Sequence, residues 1–204
     1  MGTRHLQCVY VGGEYKVAKY CQWDGYPDCN GLKTLQFIRD RMDEEKFKQA
    51  LGRCTFVSEK EINEMYDESN IDVSDGWISF EEAEQFSKIH PQLTRDMSAE
   101  IFEWIQENSL NRIPLQNNLE FASNSLSCEW VYVLDMDRRT FEVYKGFNQE
   151  TLGEDERFVN LAPYQSYSES TYYPVKLIKL WDFSNLPTDQ EFLNTFNTEE
   201  EEVL

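Results

Sequence analysis

Basic residues are scarce in this chain. Of its 204 residues, 19 are Lys or Arg against 38 Asp or Glu, and the formal net charge is −19. Binding to nucleic acid runs on Lys and Arg that displace counterions from phosphates. Anionic bilayers likewise attract polybasic segments. The composition speaks against both partners. Solubility is the plain consequence of the acid surplus; a basic partner or a DNA-mimicking inhibitor role is the functional one. Histidine is rarer still, with His5 and His90 alone. No apolar run approaches the ~18 residues of a membrane span. The start Met-Gly-Thr-Arg-His has no apolar h-region, so no signal peptide is expected. Leu6 stands where N-myristoylation after Gly2 wants Ser or Thr. The five cysteines, Cys8, Cys21, Cys29, Cys54 and Cys128, are odd in number and form no CxxC pair. Neither a disulfide framework nor a zinc site follows. The expected setting is the cytoplasm, with reduced thiols. Gly-rich phosphate loops, GxSxG and HExxH are also missing. No cofactor and no metal site are expected.

Aromatics, by contrast, are plentiful. The 13 Phe, 11 Tyr and 5 Trp supply a core that a disordered chain would lack. Leu6 to Val11 and Tyr15 to Tyr20 are rich in β-formers and flank Gly12-Gly13, a two-residue hairpin signal. Leu32, Leu35, Ile38 and Met42 recur at helical spacing, and Phe47 with Leu51 marks a second short helix ended by Gly52. Ser58 with Glu61, and Ser79 with Glu82, form capping-box patterns ahead of apolar runs. His90-Pro91 ends the second of these helices. A further helix is read from Asp96 to Asn108. Glu129 to Leu134 and Thr140 to Lys145 read as a hairpin around Asp135 to Arg139. Residues 148 to 172 read as a long polar loop. Val175 to Phe183 alternates as a strand with Val175, Leu177, Lys179, Trp181 and Phe183 on one parity. Thr188 and Glu191 cap a last helix carrying Phe192, Leu193 and Phe196. The fold class is α+β: an antiparallel sheet built from N-terminal and C-terminal hairpins, with a central group of helices. Residues 1–197 make one globular domain, and 198–204 an acidic, frayed tail.

The segment Gln22-Trp23-Asp24-Gly25-Tyr26-Pro27 stands out within this order. Gly and Pro suit neither a strand nor a helix interior, but they suit a shaped turn that fixes a carboxylate and two rings. With a plain two-residue turn, Arg4 falls opposite Cys21, beside Asp24. An Arg4–Asp24 ion pair is expected there, either as a structural clamp or as the centre of a pocket walled by Trp23 and Tyr26. In the pocket reading Asp24 is a general base. Asp96, placed at a helix N-terminus and stabilised by its dipole, is a second carboxylate. The catalytic candidates are therefore Asp24, Arg4 and Asp96, and the binding candidates Gln22, Trp23, Tyr26 and Arg95.

Three other constellations are weaker. Asp75 to Glu82 resembles the back half of an EF-hand loop, yet Ile71 and Val73 fill the first and third ligand positions, where calcium needs oxygen. Cys21 could be a nucleophile lowered by Arg4 and paired with His5 on the facing strand. A buried small hydrophobe is the favoured reading of that thiol. Asp135 and Asp137 could hold a metal, but turn propensity accounts for them.

Three stretches also resemble a known family. They are Met1 to Arg4 with Tyr20 to Pro27, then His90 to Asp96, then Glu129 to Asp135 through Phe141 to Gly146. The family comprises small phage, bacterial and fungal proteins with a Met-Gly-Thr-Arg start and a Gln- or His-Trp-Asp-Gly-Tyr-Pro segment. Where it often has Gly before that segment and Ser-Gly-Gln-Gly after it, this chain has Cys21 and Asp28-Cys29-Asn30-Gly31. The resemblance covers residues 1 to about 185 and implies one ancestral domain rather than a reaction. Two functional readings stand. One is a small intracellular pocket protein, a hydrolase or transferase, acting on a small molecule around the Gln22–Pro27 segment. The other is a non-catalytic acidic interaction or inhibitor protein with a protein partner, phage- or host-directed.

Overall fold

A computed structural model describes residues 2–74, 76–167 and 170–201, with side chains through Phe196. The elements follow the apolar periodicities closely. Strands β1 (His5–Val11) and β2 (Glu14–Cys21) form a hairpin whose turn residues Gly12 and Gly13 both have positive φ, as a primed turn requires. A helical stretch follows, in which α1 (Leu32–Gln36) lies between wider π-turns at Pro27–Gly31 and Phe37–Arg41. Then come α2 (Glu44–Leu51), β3 (Cys54–Phe56), α3 (Glu59–Glu68), α4 (Phe80–Ile89), α5 (Glu100–Glu107) and β4 (Ile113–Leu115). The last third holds β5 (Trp130–Asp135), β6 (Thr140–Lys145), the short pair β7 (Tyr164–Gln165) and β8 (Thr171–Tyr172), β9 (Lys176–Asp182) and α6 (Asp189–Glu201). Both expected capping boxes close, Ser58 with Glu61 and Ser79 with Glu82. Thr188 and Glu191 close a third at the start of α6.

The main sheet has the order β2-β1-β5-β6-β9. Both hairpins are antiparallel, as is β6 with β9, but β1 and β5 run parallel. The sheet is therefore mixed, which corrects the all-antiparallel expectation. A hairpin turn fixes the direction of its own two strands only. The direction of β5 beside β1 is set by the crossover of residues 22–129, which contains most of the helices. Every residue of β5 is buried, because both faces of the sheet are covered. On one face Val9, Tyr132, Leu134, Phe141 and Val143 meet Leu35, Phe37, Phe47, Phe102 and Phe192 from the helices. On the other, Leu6, Cys8, Val131, Val133 and Tyr144 pack under Ala122, Phe158 and Val175. A third, small cluster of Ile71, Phe86 and Leu93 holds α3 and α4.

Two bulges alter the expected registers. In the first hairpin Val9 pairs Val17 but Tyr10 pairs Tyr15, so Lys16 is an extra residue. In the last pair Val143 faces Lys179 and Tyr144 faces Leu177, leaving Ile178 extra. Ile178 and Trp181, not Leu177 and Lys179, therefore pack against the helix-side core. Helix α5 begins at Glu100 rather than Asp96, because residues 95–96 form a turn and 97–98 are irregular. The loop of residues 148 to 172 contains the β7–β8 pair and buries Phe158. The backbone of α6 runs to Glu201. Of the acidic tail expectation, residues 202–204 lie outside the described residues, as do Met1 of the start and Asp75 of the EF-hand comparison.

Candidate functional site

The Gln22–Pro27 turn is tied down from four sides. Gly25 N–H donates to the Thr3 carbonyl at 3.0 Å, and the Tyr132 hydroxyl donates to the Gly25 carbonyl at 2.7 Å. The Asn30 amide donates to the Asp24 carbonyl at 2.7 Å and to the Trp23 carbonyl at 3.2 Å. Gln22 N–H donates to the Arg95 carbonyl at 2.9 Å, and the Trp23 indole donates to the Asp96 carboxylate at 2.8 Å. Glycine is demanded here by contact rather than by φ. A Cβ on Gly25 would lie 2.7 Å from the Thr3 oxygen and 2.8 Å from the His5 ring. One on Gly2 would meet the Trp23 ring at 2.3 Å, and one on Gly31 the Tyr132 ring at 2.9 Å. The motif thus locks the chain start, the first hairpin and the 91–98 turn together.

This arrangement brings some of the expected residues together and separates others. Gln22, Trp23, Arg95 and Asp96 meet. The Tyr20 hydroxyl also donates to the Gln22 side chain at 2.6 Å, and the nearby charges of Arg4 and Arg95 offset part of the rise that burial causes in its pKa. Arg4 and Asp24 do not meet, and among the described residues no ion pair joins them. The bulge at Lys16 advances the register by one, so His5 faces Cys21 and Arg4 lies beyond the last pair, held through its backbone by Glu129. Strand pairing ends there, and the path of the turn after Cys21, not the hairpin register, sets where Asp24 lies. Asp24 is exposed and sits at φ 55, a left-handed conformation that Asp tolerates better than most residues. Asp96 is exposed in a turn, four residues before α5, so no helix dipole acts on it.

Arg4 and Tyr26 line a cavity of about 680 Å³ at the end of the sheet. That size lies within the roughly 300–1,000 Å³ range of small-molecule sites. Its other walls are Pro27, Asp28, Ser125, Leu126, Glu129, Trp130, Lys145, Gly146, Phe147, Leu193 and Phe196. Gln22, Trp23, Asp24, Arg95 and Asp96 are not among them. Arg4 is half-buried, yet its guanidinium makes no ion pair or hydrogen bond among the described residues. The Lys145 ammonium lies 5.7 Å from the Trp130 ring centroid. Phe147 is 68 % exposed and sits at φ 58. A bulky residue there is under backbone strain, and such strain gathers at functional sites. Trp130 and Lys145 are register partners across β5 and β6, so their proximity was implicit in the second hairpin. Asp28, Glu129, Phe147 and α6 had no sequence signal pointing to one site.

The buried thiol and imidazole are poor reaction partners. His5 and Cys21 face each other in the hairpin. Burial pushes the Cys21 thiol up to about 12 and lowers the His5 imidazole to about 4. Both stay neutral near pH 7, and neither ring nitrogen of His5 has a hydrogen-bond partner among the described residues. Cys21 is the buried small hydrophobe of the favoured reading. All five thiols are free, and four are buried. The paired aspartates of the second hairpin are occupied elsewhere. Asp137 accepts the N–H groups of Gly12 and Gly13 at 2.8 and 2.9 Å, and Asp135 is paired with Arg157. Among the described residues no group of His, Cys, Asp and Glu has the arrangement of a metal site, and no helix is long and apolar enough to cross a membrane. Compared with protein-family models, curated proteins and solved structures, the chain matches none of them.

Proposed function

We propose that this chain is a small-molecule pocket protein, and that the cavity beside the Gln22–Pro27 turn takes an organic anion with a flat apolar body. The observation that carries this reading is Arg4: a half-buried cation without an ion pair among the described residues, in a cavity walled by Tyr26, Trp130, Phe147 and Phe196. An Arg fork is suited to a carboxylate or phosphate, and the rings are suited to a planar partner. Hydrolysis or group transfer, if the chain performs either, would use the lining carboxylates Asp28 and Glu129 as acid and base. Asp24 and Asp96 would then support the turn that carries Tyr26. The resemblance to the phage, bacterial and fungal family rests on this same turn, which the resemblance would make a shared scaffold. The free thiols suit a reducing compartment and support a cytoplasmic setting.

The test is a thermal-shift panel of aromatic carboxylates and phosphates. A ligand at 100 times its Kd adds about 2.7 kcal/mol to native stability. Stabilisation by a panel member should disappear in Arg4→Met and in Phe147→Asn. No stabilising anion, or one whose effect survives both substitutions, would overturn the reading.

A further inference from the structure

We propose that the loop end of the α3–α4 pair, away from the cavity, is a docking surface for a basic protein segment that carries apolar side chains. Trp77 and Phe80 there are 79 % and 84 % exposed. Ile78, between them, turns inward against the Ile71–Phe86–Leu93 cluster, where Tyr66 stacks on Phe86 at 4.0 Å. The turn holds itself without the two rings. Ser79 accepts from Glu82 N–H at 3.2 Å, Glu82 accepts from Ser79 N–H at 2.7 Å, and Gly76 supplies a positive φ. Single exposed hydrophobes are ordinary. Two large rings three residues apart in sequence, both almost fully exposed, put apolar surface of the kind that marks contact sites on a turn they do not stabilise. Calcium does not account for the motif. The positions of the first and third ligands hold Ile71 and Val73, which belong to the small cluster, and Glu82 is taken up in its capping box.

Charge selects the occupant. Residues 59–90 contain ten Asp and Glu against Lys60 and Lys88, a net −8 out of −19 for the chain. Both lysines are already paired, to Glu64 at 3.3 Å and to Glu84 at 2.8 Å. Glu59, Asp67, Glu68 and Glu81 carry no ion pair among the described residues. A second copy of this surface would bring like charge against like, and anionic lipid or nucleic acid would be repelled. A Lys- or Arg-rich segment with Leu- or Phe-type anchors matches both features at once.

The experiment uses the intact chain and labelled 20-residue synthetic helices, read by fluorescence anisotropy. One peptide places Lys and Leu at amphipathic spacing, one replaces Leu by Ser, and one replaces Lys by Glu. The Lys/Leu peptide should bind at 150 mM salt, at least tenfold more tightly than either control, and more weakly at 500 mM. The exposed-ring variant Trp77→Ser with Phe80→Ser should retain its melting temperature and bind at least tenfold more weakly. The charge variant Glu59→Gln, Glu68→Gln and Glu81→Gln provides a second, fold-neutral arm and should also weaken binding. Equal binding by the ring variant would reduce the effect to net charge and overturn the proposal. So would no binding of the Lys/Leu peptide. A self-association, or an adsorption to phosphatidylcholine vesicles, that is lost in the ring variant would overturn it in favour of that occupant.

Discussion

Arg157 grips Glu142 side-on, with Nε on Oε2 and Nη2 on Oε1, each at 2.7 Å. Glu142 is 2 % exposed, and it also accepts from the Tyr144 hydroxyl at 2.5 Å and the Thr140 hydroxyl at 3.1 Å. The same guanidinium pairs Asp135 and lies 5.0 Å from the Tyr10 ring. A loop residue thereby neutralises charge buried on the central strands. Arg157→Met should cost about 3–5 kcal/mol, because two carboxylates lose their buried counter-ion. Arg157→Lys should recover little of it, since an ammonium cannot reproduce the fork. Urea unfolding measures both; a loss below ~1 kcal/mol for the Met variant would contradict the burial of the pair.

His5 makes stability depend on pH. Its folded pKa is lowered to about 4 by burial, against an ordinary 6.5. Between those values the unfolded chain binds the proton and the folded chain does not, so stability is full above pH 6.5 and falls as pH drops towards 4. The loss amounts to about 3 kcal/mol. His90 shifts in the same direction at lesser burial, so the comparison is with a variant. His5→Gln should have a flatter stability profile between pH 6.5 and 4.5, and an unchanged slope would assign the acid sensitivity elsewhere.

Arg4 and Asp24 should behave independently. Among the described residues they share no hydrogen-bond or ion-pair partner, and Asp24 is exposed on a turn beyond the last strand pair. In a double-mutant cycle with Arg4→Met and Asp24→Asn, the two stability changes should add within about 0.5 kcal/mol. A larger coupling would restore the ion pair expected from the sequence.

Gly25→Ala should be costly despite adding one methyl group. The new Cβ would meet backbone oxygen and the buried His5, neither of which can swing away. Overpacking of this kind costs about 1–3 kcal/mol. The variant should also show altered Trp fluorescence, because the turn places Trp23 against Asp96. A melting temperature equal to that of the parent would show that the turn has slack.

Thiol titration offers a further check. Denatured without reductant, the chain should react with five equivalents. In the native state Cys29, the one half-exposed thiol, should react ahead of the other four.

Local signals in the sequence were legible to different depths. The capping boxes, the Gly12-Gly13 turn and the aromatic core rest on short-range chemistry, and the structure contains each of them. The Gln22–Pro27 segment was legible as a fixed turn, and Arg95 and Asp96 were grouped with it, but its remaining partners were not legible. Those come from Thr3, Tyr132 and Asn30, and a turn does not encode distant hydrogen bonds. The two bulges, at Lys16 and Ile178, were invisible because alternation survives on either side of an inserted residue while its phase changes. At Lys16 that phase change set His5 rather than Arg4 opposite Cys21. Arg157 was hidden in a polar loop, since nothing local separates a charge that will be buried from one that will be solvated.

The parallel seam between β1 and β5 also sets a timetable. His5 pairs in register with Trp130, and the tip glycines of the first hairpin are latched by Asp137. During synthesis β1 must therefore wait for residues 22–129 to follow it before its inner edge is covered. Long-range pairing of this kind is slow and leaves an open strand edge in the interval. A chain truncated before β5 would leave the inner edge of β1 without its strand partner.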